Sequence, residues 1–264
     1  MSTKDFLKKI KDEDIEYVDV RFTDTRGKLQ HVTIVSDLVD EDFVEEGFMF
    51  DGSSIAGWKS IEASDMKLML DTDTAYVDPF YAEKTICVHC SVVEPDTGEA
   101  YERDPRGTAQ KAEAYLKASG IGDVAYMGPE AEFFLFDNVK FSNSINKVSY
   151  EVDASDASWN TDTDYEMGNM GHRPGLKGGY FPVNPTDEAQ DLRAEMLSTM
   201  KRLGMKVDKH HHEVASCQHE LGLIFGTLTE QADELQKYKY VIHNVAHAYG
   251  KSATFMPKPI YGDN

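Results

Sequence analysis

Two glutamates, Glu130 and Glu132, stand at the start of the most apolar segment of the chain, YMGPEAEFFLFD at positions 126–137. A charged side chain is costly to bury unless it is paired or bound to a metal ion. On a strand, residues two apart point to the same face, so these carboxylates would project together and repel each other. Carboxylate oxygens are the ligands that Mg²⁺ and Mn²⁺ prefer. The pair indicates half of a cation site, with two solvated glutamates at a strand end as the alternative.

A second segment, KHHHEVASCQHELGLIFGTL at 209–228, carries Glu213 and Glu220 beside β-like sequence. Four carboxylates on two strand pairs could hold two Mg²⁺ or Mn²⁺ ions, which clamp phosphates during phosphoryl transfer. The run His210–His212 suggests zinc, but no H-E-x-x-H helix is present. Alternate histidines on a strand face opposite sides, so the three cannot bind one ion. We expect structural roles for them, with one supporting a metal ligand from behind.

A glycine-rich segment, GHRPGLKGGYFPVNPTD at 171–187, places Gly178 and Gly179 directly before Tyr180. Such a loop exposes its backbone and is typical of loops that line substrates, although an ordinary surface turn is the alternative. It is not a phosphate-binding P-loop, because the G-x-x-x-x-G-K-[ST] pattern is missing.

The elements that position these residues fall into two parts, and together they predict an α+β fold. Residues 1–103 read as a small β-rich domain with a helix at 2–11, a hairpin formed by YVDVRFTD and KLQHVTI, and two further strands in LMLDTDTAYVDPF and TICVHCSVVEP. Asp104 followed by Pro105 is typical of a helix start, and it places the domain boundary near residue 103. Residues 104–264 then predict strands at 124–137, 148–153, 206–212 and 219–227, with helices at 187–203 and 229–249.

Composition excludes several classes of protein. The net charge is −20, from 47 acidic and 27 basic residues, which argues against a nucleic-acid partner. The apolar runs are shorter than the roughly 20 residues that a membrane span needs, and MSTKDFLKKIKDED lacks the apolar core of a signal peptide. We therefore expect a soluble cytoplasmic protein. Cys87 and Cys90 form a C-x-x-C on a predicted strand, where they would face opposite sides, so neither a zinc nor a redox site is expected.

Six motifs, in order, resemble bacterial type I glutamine synthetase over the whole chain. They are MFDGSSIAGW, GPEAEFFLFD, GGYFPVNPTDEAQDLR, KHHHEVASCQHE, YKYVIHNVAH and ATFMPKPIYGDN. The resemblance implies ATP-dependent ligation of ammonia to L-glutamate. The γ-carboxylate attacks ATP to give γ-glutamyl phosphate, and ammonia then displaces the phosphate.

The resemblance also assigns site residues. It implies that Glu132, Glu213 and Glu220 hold the ion nearer glutamate and that Glu130 serves the ion nearer the ATP phosphates, with Mg²⁺ or Mn²⁺ as the metal. The other assignments are an ammonium pocket of Asp51, Ser54, Tyr180 and Glu213, with Asp51 also acting in deprotonation; ATP contacts from Asp208 and Phe225; and a glutamate contact from Asn264. At Asp208 this chain departs from the best-known members, which have Glu there.

The implied fold is an N-terminal β-grasp-like domain followed by a catalytic α+β domain. The implied assembly is a homododecamer of two stacked six-membered rings, with active sites between adjacent subunits. The chain stops inside a motif that the family continues with glycine and serine, so we expect a fragment that is inactive alone and prone to aggregate.

Two other readings stay open at this point. One is a non-catalytic short homologue that joins the oligomer of a full-length enzyme. The other is a carboxylate–amine ligase of the same fold that acts on a different amine.

Overall fold

The computed structural model describes residues 1–159, 166 and 170–263, and this part of the chain forms two compact units. The first unit contains residues 1–127 and 226–236, and the second contains residues 128–225 and the chain from 237 onward. Helices and strands alternate irregularly, which confirms the α+β class. The helices are α1 (Thr3–Asp12), α2 (Glu41–Glu46), α3 (Pro105–Ser119), α4 (Gln190–Arg202) and α5 (Leu228–Ala248). The strands are β1 (Tyr17–Thr23), β2 (Leu29–Val35), β3 (Phe48–Asp51), β4 (Asp65–Leu70), β5 (Tyr76–Val77), β6 (Thr85–Val93), β7 (Tyr126–Met127), β8 (Phe133–Phe136), β9 (Asn138–Ser144), β10 (Lys147–Asp153), β11 (Val207–His212), β12 (Gln218–Leu223), β13 (Gly226–Thr227) and β14 (Ser252–Thr254).

The first unit is built on a sheet with the strand order β2-β1-β6-β4-β3, and β5 pairs with β6. The predicted hairpin is confirmed, because β1 and β2 pair antiparallel from Tyr17 opposite Val35 to Thr23 opposite Leu29. The β1–β6 pair is parallel. Apolar side chains from α1 and from the sheet form a buried core, in which Phe6, Val18 and Met66 have no solvent exposure.

Strand β1 is buried on both faces, although it carries two charged residues. Asp19 and Arg21 are 0% and 2% exposed. Arg21 donates from Nε to Asp19 at 2.6 Å, from Nη2 to Asp78 at 3.1 Å, and from Nη1 to the Tyr76 hydroxyl at 2.6 Å. Burial of a charge is tolerated when it is paired and hydrogen-bonded, as it is here.

The predicted helix start at Asp104 is confirmed. The Asp104 carboxylate accepts the backbone N–H of Arg106 at 3.1 Å, Pro105 occupies the first turn, and Gly120 ends the helix in the left-handed conformation. The domain boundary near residue 103 stays a prediction.

The second unit is built on an antiparallel sheet with the order β11-β12-β8-β14, beside a β9–β10 hairpin. The predicted strand at 124–137 was wrong in extent: it consists of β7 and β8, and residues 128–132 between them are not strand. Gly128 and Pro129 explain the gap, because proline cannot donate a backbone hydrogen bond to a sheet. The strand predicted at 219–227 likewise divides into β12 and β13. Strand β9 was not predicted; apolar Val139 and Phe141 alternate with polar residues on it, but all of its side chains are exposed.

The two long helices of the catalytic part were predicted to within three residues at each end. On α5 the predicted apolar face is confirmed for Tyr238, Val241, Ile242, Val245 and Ala246, which are all buried. Within the described residues, no helix combines the length and apolar character that a membrane span requires.

Candidate metal centre

Strand register in the second unit brings His211, Glu220 and Glu132 into one row. His211 lies directly opposite Glu220 in the β11–β12 pair. In the β12–β8 pair, Gln218 lies opposite Phe134 and His219 opposite Phe133, so the same register continued by one residue places Glu220 opposite Glu132. Directly opposite residues share a face, with Cβ atoms about 5 Å apart. The predicted juxtaposition of the two glutamate segments therefore follows from sheet pairing, although Glu130 and Glu132 precede β8 rather than lie on it.

Glu213 joins this row because it lies two residues beyond His211. Nδ1 of His211 is 3.4 Å from Glu213 Oε1, and Nε2 is 3.5 Å from Glu220 Oε2. One ligand atom from each of the three residues lies within 4.8 Å of the others. Glu213 and Glu220 are buried, whereas Glu130 and Glu132 are exposed. The cluster is therefore buried at Glu213 and Glu220 and open to solvent at Glu130 and Glu132.

Electrostatics show that the four carboxylates crowd one another. Burial raises the pKa of Glu220, and the charges of Glu213 and Glu130 raise it further, although His211 opposes them. The pKa of Glu132 is also raised, first by partial removal from water and then by the charge of Glu220. A divalent cation would relieve this repulsion, and carboxylate oxygens are the ligands that Mg²⁺ and Mn²⁺ prefer. The donor set therefore fits the predicted metal.

Buried side chains hold the carboxylate segments in place. Gln218, which is fully buried, donates its side-chain amide to Glu132. Tyr238 donates its hydroxyl to the carbonyl of Ala131, between Glu130 and Glu132, at 2.7 Å, and accepts the N–H of Leu221, next to Glu220, at 3.3 Å. One hydroxyl on α5 thus joins both carboxylate segments. No sequence pattern indicated a role for Tyr238 beyond its place on an apolar helix face. The i, i+2 spacings of His211–Glu213 and Gln218–Glu220 could have indicated that each pair shares a strand face.

The glycine-rich loop packs against the metal cluster. Gly179 donates its N–H to the carbonyl of Val214 at 3.0 Å, and a Cβ at position 179 would lie 2.4 Å from the carbonyl oxygen of Glu213. Only glycine fits so close an approach. The loop brings Tyr180 to the cluster, where its ring stacks on Phe181 and meets the edge of His211. Tyr180 therefore follows a residue that packs directly on Glu213, and its own ring contacts His211 of the cluster.

The other face of the sheet holds a different polar network, around Arg193 of α4. Arg193 pairs with Asp187 and donates to Nδ1 of His219 at 3.1 Å and to Nδ1 of His210 at 3.3 Å. His212 and His219 also lie close to Asp156, and these three residues could in principle bind a metal ion. Arg193 disfavours that reading, because it occupies a histidine nitrogen and places a positive charge there. The structural role predicted for His210 and His212 fits this network, whereas His211 lies among the carboxylates.

The residues predicted to contact ATP lie toward the other end of the same strand pair. Asp208 is an exposed residue of β11, and its carboxylate lies over Gly222 of β12. Phe225 is exposed two residues beyond β12. At about 3.3 Å per strand residue, Asp208 and Glu213 are separated by roughly 16 Å.

Asp51 and Ser54 lie in the first unit, at the end of β3. The Asp51 carboxylate accepts the N–H and hydroxyl of Ser53 at 2.8 and 2.6 Å, and the Ser54 hydroxyl is 3.4 Å away. The Ser53 hydroxyl and N–H lower the pKa of Asp51, which favours its charged form. The remaining predicted site residue, Asn264, lies outside the described residues.

Comparison with known proteins agrees with this architecture. Residues 14–95 match the family model for the glutamine synthetase beta-Grasp domain, and residues 102–264 match that for the glutamine synthetase catalytic domain. The chain is 76% identical over 260 residues to a glutamine synthetase of Cereibacter sphaeroides, covering 98% of this chain and 56% of that protein. It is 74% identical over 263 residues to that of Rhodobacter capsulatus, covering 60% of it.

Solved structures show the same fold. Plasmodium falciparum glutamine synthetase superposes with a TM-score of 0.92 at 27% identity, covering all of this chain and 52% of that one. A protein named GmaS superposes with a TM-score of 0.75 at 21% identity, and this similarity shows the fold alone. The chain spans a little over half the length of the curated relatives it matches. It belongs to the glutamine synthetase family, with a β-grasp domain followed by the first part of the catalytic domain.

Proposed function

We propose that the protein to which this chain belongs ligates ammonia to L-glutamate with ATP, through γ-glutamyl phosphate, at a two-metal site. The observation that carries the proposal is the row of Glu132, Glu220 and His211, with Glu213 beside it, on one face of the sheet of a glutamine synthetase catalytic domain. Bound divalent cations would neutralise the phosphate charge during transfer.

The residues divide between the two substrate ends of the site. Glu132, Glu213 and Glu220 would hold the ion nearer glutamate, and Glu130 would serve the second ion. Asp208 and Phe225 would contact ATP, and Asn264 would contact glutamate. The roughly 16 Å that separates Asp208 from Glu213 along β11 leaves room for a nucleotide between the adenosine end and the ammonium end.

Ammonium would be bound by Asp51 and Ser54 together with Tyr180 and Glu213. The bonds from Ser53 lower the pKa of Asp51 and favour its charged form, which can attract ammonium and take a proton from it, so that the ammonia released can attack. We further propose a cytoplasmic homododecamer in which Asp51 and Ser54 reach the site of an adjacent subunit.

The test is turnover by the complete gene product. With Mg²⁺ or Mn²⁺, it should convert glutamate, ammonium and ATP into glutamine, ADP and phosphate in equal amounts. Faster reaction with an alkylamine than with ammonia would favour the other amine ligase, and no ligation would favour the non-catalytic homologue.

A further inference from the structure

The turn that joins β11 to β12 carries the two buried glutamates of the metal centre at or near its ends. Glu213 precedes this turn, which comprises residues 214–217, and Glu220 follows it on β12. The spacing of these carboxylates depends on the shape of the turn, since a metal site requires its ligands at fixed distances.

The N–H groups of this turn are satisfied by side chains rather than by strand pairing. Unpaired buried N–H groups are costly, so each needs a partner. Each backbone N–H donates to a side-chain oxygen: Val214 to Glu213 Oε2 at 3.0 Å, Ala215 to Gln218 Oε1 at 3.0 Å, Ser216 to Asp263 Oδ2 at 2.9 Å, and Cys217 to Asp156 Oδ2 at 3.0 Å. Two of these acceptors, Asp156 and Asp263, come from segments remote in sequence.

Asp156 holds both arms of the hairpin through one oxygen. Its Oδ2 accepts the N–H of Cys217 and also Nε2 of His212 at 3.0 Å, and His212 bonds through Nδ1 to the carbonyl of Glu213 at 2.7 Å. Cys217 has a φ of +66°, a left-handed conformation that is strained for a residue other than glycine. The carboxylate therefore stabilises a backbone shape that the sequence does not favour by itself.

Asp263 joins the same turn to the glycine-rich loop through both of its oxygens. Oδ2 accepts the N–H of Ser216, and Oδ1 accepts the N–H of Lys177 at 2.8 Å. Lys177 lies two residues before Gly179, whose N–H in turn bonds to Val214. Asp263 is only 2% exposed. It thereby fixes the turn and the loop that carries Tyr180 relative to each other.

We propose that Asp156 and Asp263 are positioning residues, which hold the 214–217 turn so that Glu213 and Glu220 keep the spacing needed to bind a divalent cation. No hydrogen bond links either carboxylate to the cluster carboxylates among the described residues. They act through backbone N–H groups and, for Asp156, through His212. The inference rests on the proposed metal centre and not on turnover.

The test measures Mn²⁺ binding by the complete gene product, from the electron paramagnetic resonance signal of free Mn²⁺. Asp156→Ala and Asp263→Ala should each weaken binding about 10- to 100-fold, the usual effect of removing groups that orient metal ligands. Asp156→Asn should retain most of the affinity, because one amide oxygen can accept both bonds that Oδ2 accepts. Asp263→Asn should retain less, because Asp263 uses two oxygens and asparagine has one.

The matched control is Asp24→Ala. Asp24 also holds a hairpin turn, accepting the N–H groups of Arg26 and Lys28 at 2.8 and 3.0 Å, but the β1–β2 hairpin carries no candidate ligand. This variant should leave Mn²⁺ affinity unchanged. Equal weakening by Asp24→Ala would mean a general loss of stability and would overturn the proposal.

Two further outcomes are decisive. Unchanged Mn²⁺ affinity in both alanine variants, or no Mn²⁺ binding by the unaltered protein, would overturn the inference. If the alanine variants do not fold, the asparagine variants decide, since Asp263→Asn must bind more weakly than Asp156→Asn. An unaltered protein that binds Mn²⁺ yet forms no glutamine would contradict the proposed function alone.

Discussion

The hydroxyl of Tyr238 offers the sharpest probe of how the fold supports the metal centre. Tyr238 is fully buried, and its hydroxyl bonds to Ala131 at 2.7 Å and to Leu221 at 3.3 Å. Tyr238→Phe removes one oxygen, keeps the ring and leaves both backbone groups without this partner. Burial raises the pKa of Tyr238, so the group lost at neutral pH is a neutral hydroxyl.

The expected loss follows from those two bonds. Each is worth about 1 kcal/mol net, and a buried group left unpaired costs about 1–3 kcal/mol, so the free energy of local opening should fall by about 2 kcal/mol. Since 1.4 kcal/mol is tenfold, the Leu221 amide should exchange its hydrogen about 30-fold faster. We also expect Mn²⁺ to bind about tenfold more weakly, because both carboxylate segments lose their shared anchor.

Hydrogen exchange followed by mass spectrometry on the complete gene product measures the first effect, and Mn²⁺ titration measures the second. Tyr249→Phe is the control, because Tyr249 also loses a hydroxyl contact, to Glu195 at 2.6 Å, but at an exposed site. Exchange and Mn²⁺ affinity that do not change in Tyr238→Phe would refute the idea that this hydroxyl joins the two segments.

Three other substitutions test the site. Glu132→Ala should weaken metal binding and abolish glutamine formation while the oligomer persists; unchanged activity in a steady-state assay would refute its ligand role. Gly179→Ala should lower stability by about 1–3 kcal/mol and displace Tyr180, because the new Cβ would meet the Glu213 carbonyl at 2.4 Å; urea unfolding and turnover check this, and a variant equal to the unaltered protein would contradict it. The shift in melting temperature caused by Glu220→Gln should have opposite signs without and with bound metal. Because the folded protein raises the pKa of Glu220, its charge opposes folding once the pH exceeds that pKa, so the variant should melt at a higher temperature without metal and a lower one with Mn²⁺; the same shift in both conditions would refute the argument.

The sequence predicted those parts of the site that depend on local spacing. Residue types and i, i+2 spacing indicated the carboxylate face, and the Asp104–Pro105 pair predicted a helix start that the structure confirms. The strand at 124–137 was predicted too long, because its apolar run outweighed the break at Gly128 and Pro129. Local patterns therefore predict which segments form strands or helices, but they do not predict where a glycine or proline ends a strand within an apolar run.

Contacts between remote segments could not be predicted in this way. Asp156 and Asp263 accept hydrogen bonds from backbone N–H groups that are remote in the sequence. Every residue except proline has such an N–H group, so no residue type marks the partner. The sequence predicted structural roles for the three adjacent histidines, with one of them supporting a metal ligand, but it could not say which one; strand register places His211 beside Glu220. The register, and not the composition of the motif, decides which histidine faces the carboxylates.

The measurement that tests the central claim most directly is anomalous X-ray scattering from crystals of the complete gene product soaked in MnCl₂. The account predicts an anomalous peak among Glu132, Glu213 and Glu220, on the face of the sheet that His211 shares. A peak among Asp156, His212 and His219, or no peak near either set, would contradict it.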